Sequence, residues 1–538
     1  GEAQSCRPCE PGTTASENRS TACDPCPQGT YQTNRSQASC LDCQLVLQGS
    51  TTLLKGSASP AECVCPVNTY RDASGVSGQP DVCRSCGVGL SCAGGASPAK
   101  QLPGFYAEKS GTELQVFHCK DSEVCPGGLE VGVCPENREG LSCDHCKAGF
   151  YPAAGGTCQD CDGTRSVPLG AQLPFILVLV LIALGVVITI MLRASRLQRG
   201  ARVSLDTTLS VILSAVQTIA AFGSLQVPWT RPLSFFTAIL DLFQLKIDLL
   251  LPSCVFRVSS PTARYFGSLC IFPGALLFMV LIWLVLVRIA KVKITRIQFT
   301  NTLGRLTLMG FLSILLLCFA PFYCIANPSD RGTVSKFRSV VCWDGGEHAG
   351  LLALATLAVI FIPGAFLALA IFATCRYKAM IVKEGGAEYL CQYDFLFQKF
   401  KFGCHQFGLV MMSRSTLIAL TPVAFTRNVA AHLMIIALVL GVYAAVQNAW
   451  QPWRSSVANV FDSGASVALF LVAVAGALLS ETGAAEAALV SEASLWTGLI
   501  LTFGSGSCIL AFYAYKLVKP PKTWAVLLSH HKGGAAVL

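Results

Sequence analysis

PFILVLVLIALGVVITIML, from Pro174 to Leu192, is nineteen residues without a charge. At about 1.5 Å of rise per residue it matches a hydrocarbon core of roughly 30 Å, so it predicts a transmembrane helix. The chain changes character across it. Before it lie polar, cysteine-rich segments punctuated by Gly and Pro; after it come long apolar runs separated by short polar loops. Arg193, Arg196, Arg199 and Arg202 follow the run, whereas Asp162 and Arg165 are the only charges between Cys161 and Pro174. Basic residues gather on the cytoplasmic side of a span, so the N-terminus is expected outside the plasma membrane and the tail inside.

The composition agrees. Of 538 residues, 52% are hydrophobic and 13% charged, and mean hydropathy is +0.54; soluble domains carry about a quarter charged residues, which excludes that class. The net charge of +9 does not point to nucleic acid, because the basic residues sit mostly at the ends of apolar runs. There, orientation and anionic headgroups account for them. The lipid bilayer is the expected partner, and no nucleic acid is. The sequence starts at Gly1 rather than Met; an exported cysteine-rich domain needs a signal peptide, so a removed leader or a fragment is expected.

Eighteen of the 27 cysteines precede Pro168. They are Cys6, Cys9, Cys23, Cys26, Cys40, Cys43, Cys63, Cys65, Cys83, Cys86, Cys92, Cys119, Cys125, Cys134, Cys143, Cys146, Cys158 and Cys161. The first six repeat with a step of seventeen as CRPC, CDPC and CLDC, and Pro-Gly-Thr or Gln-Gly-Thr follows the second cysteine of the first two pairs. So short a repeat cannot bury a core, and cross-links must replace it. Each bridge closing about fifteen residues contributes roughly 3 kcal/mol by limiting the unfolded chain. Zinc is the competing reading of paired C-x2-C motifs. Disulfides are favoured by the oxidising compartment and by two glycosylation acceptors, Asn18-Arg19-Ser20 and Asn34-Arg35-Ser36, one in each thirteen-residue loop. The sequence leaves the connectivity open.

These CxxC pairs, followed by PGTT or QGTY and then SxxxCxxC, resemble the ephrin type-A/B receptor-like repeat over Cys6 to Cys43, itself close to the tumour-necrosis-factor-receptor type. GVCPENREGLSCDHCKAGFYPAAGGTCQDC, from Gly132 to Cys161, resembles a laminin-type EGF-like repeat. The stretch between, with CVC at Cys63 and Cys65, is only loosely EGF-like. The expected division is therefore 1–50 ephrin-receptor-like repeats, 51–131 a loosely EGF-like segment, 132–168 a laminin-type repeat, 169–517 a multi-span domain and 518–538 a cytoplasmic tail. The expected fold is an all-α polytopic bundle preceded by small disulfide-rich β and loop repeats.

Further spans are read at about Leu205–Gly223, Ser268–Val287, Leu306–Phe322, Gly350–Thr374, Phe407–Phe425, Val429–Val446, Val457–Leu479 and Leu495–Tyr515, nine helices with the first. This count puts nineteen Lys and Arg in inner loops against eight in outer ones. Pro232 to Leu251 is long enough to cross but holds Asp241, Lys246 and Asp248. Counting it would turn Arg288–Arg296 outward, so it reads as an interfacial or re-entrant helix. On a helix Asp241, Gln244 and Asp248 fall within about 60° of one another. That stripe lines a cation-attracting vestibule or, the favoured reading, lies in water at the interface. Asp206, Gln217, Asn459 and Asp462 lie in or at the start of spans, where interhelical hydrogen bonds are the favoured role and ion binding the alternative. Pro363-Gly364 predicts a kink. Cys324 and Cys342 fall in one outer loop and suit a disulfide, with Cys254 a competitor. The other six cysteines read as reduced.

The sequence has no GxxxxGK, HExxH or GxSxG, and His530-His531 are too few for a metal site, so no enzyme, cofactor or metal is expected. LSVILSAVQTIAAFGSLQVPW, DLLLPSCVF, VVCWDGGEH and QNAWQPWRSSVANVFD resemble the multi-span region of a family of eukaryotic surface proteins, distantly similar to transient-receptor-potential-like proteins. The resemblance implies no pore or ligand residue. The expected role is a surface sensor, receptor or channel-like protein, with an extracellular ligand or matrix component as partner of the repeats. The alternative is an adhesion or coat protein without transport.

Overall fold

In the computed structural model the chain is described over residues 7–160 apart from 16, 18, 19, 21, 73–80, 112 and 153–155; over 199–223; over 260–482 apart from 290, 292–294, 385, 426 and 427; and at isolated positions from 492 to 511. It divides into two compact units. The first comprises Gly1–Gly163, Leu251–Pro261 and Cys324–Ala349; the second comprises Thr164–Leu250, Thr262–Tyr323 and Gly350–Leu538.

The first unit is a chain of small sheets, nearly all two-stranded. Cys9–Cys23 and Cys26–Cys40 each span 14 residues and Cys43–Cys63 spans 20, so the second cysteine of one pair closes onto the first of the next. Cys65–Cys83, Cys86–Cys92, Cys119–Cys125, Cys134–Cys143 and Cys146–Cys158 continue the series. The bonded sulfurs stand where a larger domain would have a core, and Cys26 and Cys43 are fully buried. Every described cysteine up to Cys158 is thus bonded, which leaves zinc no thiolate there; Cys6, Cys161 and Cys254 lie outside the described residues. The Pro-Gly-Thr turn requires its glycine: Gly12 has φ +85°, and a Cβ there would stand 2.2 Å from the Gly56 carbonyl oxygen. The largest hairpin pairs Phe105–Ser110 with Glu113–His118, from Phe105 opposite His118 to Ser110 opposite Glu113. Tyr106, Ala107, Val116 and Phe117 are its buried positions. Asp72 accepts from Arg84 Nε at 2.8 Å and Lys109 Nζ at 3.0 Å, which ties this hairpin to the neighbouring sheet.

The second unit is helical. Its described helices are α1 (Arg199–Gly223), α2 (Pro261–Arg288), α3 (Arg296–Met309), α4 (Phe311–Phe319), α5 (Gly346–Ile381, whose first residues belong to the first unit), α6 (Gly386–Gln392), α7 (Asp394–Phe397), α8 (Phe407–Ala424), α9 (Val429–Trp450) and α10 (Ser456–Thr482). Five are long and apolar enough to cross a membrane: α2, α5, α8, α9 and α10. The pair α3–α4, bent by 57°, makes a sixth if counted as one span. Among the described residues the count is therefore five or six, against the nine expected for the whole chain. In α1, 25 residues long, the described apolar stretch is Ser210–Phe222. Pro174–Leu192, Pro232–Leu251 and most of Leu495–Tyr515 lie outside the described residues.

The helices carry the marks of an apolar solvent. The most apolar window of α2 has none of its residues buried within the molecule, and Leu277, Leu281 and Val285 are exposed. A helix hydrophobic all round suits lipid. Between α9 and α10 small residues allow close approach: Ala468 and Ala473 are buried, and Gly441 faces the Phe470 ring, 3.6 Å from where a Cβ would stand. The expected kink at Pro363 is a π-helical turn, Ile360–Gly364, within α5. Proline lacks the amide hydrogen and clashes with the preceding turn, and the wider turn makes room. A Cβ on Gly364 would sit 2.7 Å from the Val359 carbonyl oxygen, so glycine is needed beside it. α3 starts on a Thr295–Gln298 capping box and is held to α7 by the Arg305–Asp394 ion pair at 2.6 Å.

Candidate functional site

Two groupings of polar residues stand out, one in each unit. In the first unit, segment 324–349 was assigned by sequence to the membrane domain, yet it folds with the cysteine-rich repeats. Its strands Cys324–Ile325 and Thr333–Val334 pair antiparallel, and the Cys324–Cys342 disulfide closes it with a Cα separation of 6.3 Å. Asn327 is buried and organises the loop: its Nδ2 donates to the Arg331 carbonyl at 2.7 Å and to Thr333 Oγ1 at 3.1 Å. Its Oδ1 accepts from the His118 amide at 2.9 Å, 209 residues away in sequence. Ser329 Oγ donates to the Val116 carbonyl at 2.9 Å, so the segment takes up backbone groups that the hairpin leaves unpaired. Ser339 Oγ lies 3.4 Å from both Asp144 Oδ2 and His145 Nε2.

Burial, and secondarily the charge of Arg338, holds the His118 imidazole below its ordinary value of 6.5. Because the folded state disfavours the proton, this packing is complete above about pH 6.5 and weakens as the pH falls below it. His348 gathers with Cys324 and Cys342, their ligand atoms within 4.8 Å of one another. The two sulfurs are bonded to each other and His348 Nδ1 accepts from the Trp343 amide at 3.0 Å, so the group contains no thiolate for a metal.

The second grouping lies inside the helical unit. Asp462 is buried on α10, and its Oδ2 accepts from Tyr443 Oη at 2.8 Å and from Trp453 Nε1 at 2.9 Å. Asn459, one turn earlier, makes a reciprocal pair with Trp453: Oδ1 accepts from its amide at 3.0 Å and Nδ2 donates to its carbonyl at 2.9 Å. The pair clasps the turn between α9 and α10, where Gln451 adopts a left-handed conformation. Arg414 of α8 places its guanidinium 4.3 Å from the Tyr443 ring centre and donates through Nη2 to Ser214 Oγ of α1. Lys399 Nζ donates to Ser210 Oγ at 2.6 Å. Gln217 Nε2 donates to the Met309 carbonyl at 3.0 Å, supplying a partner where the α3–α4 break ends a helical ladder.

Asp462 and Gln217 thus bond to other helices, whereas the Asn459 side chain bonds the turn that precedes its own helix. The side chain of Asp206, together with Asp241, Gln244, Asp248 and Asn18, lies outside the described residues; Asn34 is exposed. Arg414 was missed in the sequence, and Lys399 was taken only as a loop cation. The available signal was a charge in the middle of the apolar run MMSRSTLIAL, which is costly in a span and marks a site.

Residues 12–63 match the family described as tyrosine-protein kinase ephrin type A/B receptor-like. No curated protein and no solved structure matches the chain significantly. The match extends neither to Gly132–Cys161 nor to the helical unit, and so does not reach the EGF-like or transient-receptor-potential-like resemblances. With the disulfide series and the membrane-length helices it describes a receptor-like membrane protein, and the matched repeat points to an extracellular N-terminus.

Proposed function

We propose that this chain is a multi-pass plasma-membrane receptor or sensor. Its cysteine-rich unit faces outward and recognises an extracellular ligand or matrix component, its tail lies in the cytoplasm, and it performs no catalysis. The observation that carries the reading is the place of segment 324–349. It belongs to the cysteine-rich unit, while the chain on either side continues into the α3–α4 pair and α5. A ligand that shifts the Phe105–His118 hairpin acts through Asn327 and Ser329 on a segment covalently attached at both ends to membrane-length helices. Such an element gives differential ligand contact a route to the bundle, as a state change requires. A channel-like role is the second reading, favoured by the ionisable residues buried in the bundle.

In the full-length protein in lipid nanodiscs, Asn327→Ala combined with Ser329→Ala is expected to raise hydrogen exchange at α4 and at the start of α5 at least several-fold. Exchange unchanged in both helices, with faster exchange confined to 324–349, would sever the proposed route.

A further inference from the structure

We propose that the helical unit binds a small monovalent inorganic anion of halide size, in the cavity bounded by α1, the α3–α4 break, α8 and Trp453, with Arg414 as its anchoring cation. The cavity measures about 40 Å³, room for about three waters at roughly 10–15 Å³ each. Arg414 lines it and is 6% exposed. Its Nη2 is used by Ser214 and its face by the Tyr443 ring, but its Nε, itself buried, has no acceptor among the described residues. A guanidinium keeps its charge in a protein, so this is a permanent cation with an unused donor. A buried donor without a partner costs about 1–3 kcal/mol, more when charged, and an anion removes that cost.

The surroundings fit the same ligand. Ser214 accepts from Arg414, which leaves its hydroxyl proton to donate, and Ser415 also lines the space. Lys399 adds a second positive group. Asp462 would oppose an anion, but it is not part of the lining, and its Oδ2 is occupied by Tyr443 and Trp453. The remaining wall is apolar, with Leu308, Phe311, Leu312 and Met412 among it. One permanent cation, hydroxyl donors and an apolar wall suit a weakly hydrated monovalent ion; a phosphate dianion needs more donors than converge here.

Iodide and bromide are direct probes, because both quench indole fluorescence on contact and Trp453, fully buried, lines the cavity. Full-length protein in neutral-lipid nanodiscs is titrated with sodium iodide at constant ionic strength against gluconate. A saturable quenching component is expected, weakened at least tenfold in affinity by Arg414→Met, which keeps the side chain's length, and more mildly by Ser214→Ala, which spares the charge. Purely linear quenching in the parent, or a saturable component of equal affinity in both variants, overturns the site. Should inorganic phosphate or nanodiscs containing a phosphoinositide displace iodide at lower concentration than bromide does, the pocket is a phosphate or headgroup site and the halide assignment fails.

Discussion

Asp462→Ala is expected to destabilise the helical unit by about 3–5 kcal/mol, the cost of breaking a buried charged network by removing one member. The substitution leaves Tyr443 Oη and Trp453 Nε1 without an acceptor in a buried place. It also removes a carboxylate on which the Arg414 charge acts. Trp453 is fully buried, and with its indole unanchored the turn joining α9 to α10 is left with its ties through Asn459 and to the backbone of Lys399, Phe400 and Lys401. Asp462→Asn retains an acceptor oxygen and costs less, because both donors keep a partner. The measurement is the thermal midpoint of the detergent-solubilised chain with hydrogen exchange across α9 and α10. A loss below about 1 kcal/mol for the alanine variant would place Asp462 outside any organising role.

Removing both Cys43 and Cys63 as Cys43→Ala/Cys63→Ala is the second large effect. The bridge closes a separation of 20 residues, worth about 3.3 kcal/mol in the loop-closure account. Cys86–Cys92, with a separation of 6, is worth about 2.2 kcal/mol on the same scale. The difference understates the contrast. Cys43 and Cys63 with Tyr31 form the buried cluster of their repeat, so the substitution removes two of its three members. Small disulfide-dependent domains that lose one bridge often fail to fold at all. The expected outcome is full-length chain retained inside the cell with scrambled pairing in non-reducing peptide maps, while Cys86→Ala/Cys92→Ala still reaches the surface in reduced amount. Equal surface yield for the two variants would remove the entropic ranking.

What could be read in advance follows from how local each signal is. The cysteine spacing and the apolar runs are local, and they foretold a cross-linked module and a helical one. A break in the regular helix at Pro363 was legible for the same reason, since the constraint lies within one residue and the preceding turn, but it was read as a kink and is a π-helical turn. Asn459 and Asp462 were visible as polar groups in an apolar run. Arg414 was equally visible but was passed over, because basic residues were read as markers of span ends. The placement of segment 324–349 was not legible. Its two anchors, Asn327 to His118 and Ser329 to Val116, join positions more than 200 residues apart, and nothing in VVCWDGGEH states what it rests on. Disulfide connectivity was hidden likewise, because spacing limits loop lengths without choosing partners.

The loop between α4 and α5 is part of the cysteine-rich unit, and the amide of His118, which donates to Asn327 Oδ1, tests this most directly. In the full-length chain Asn327→Ala should speed hydrogen exchange of the His118 amide by about tenfold or more, while the paired amides at the Ser110–Glu113 end of the same hairpin exchange as before. His118 exchange unchanged by the substitution would contradict the account.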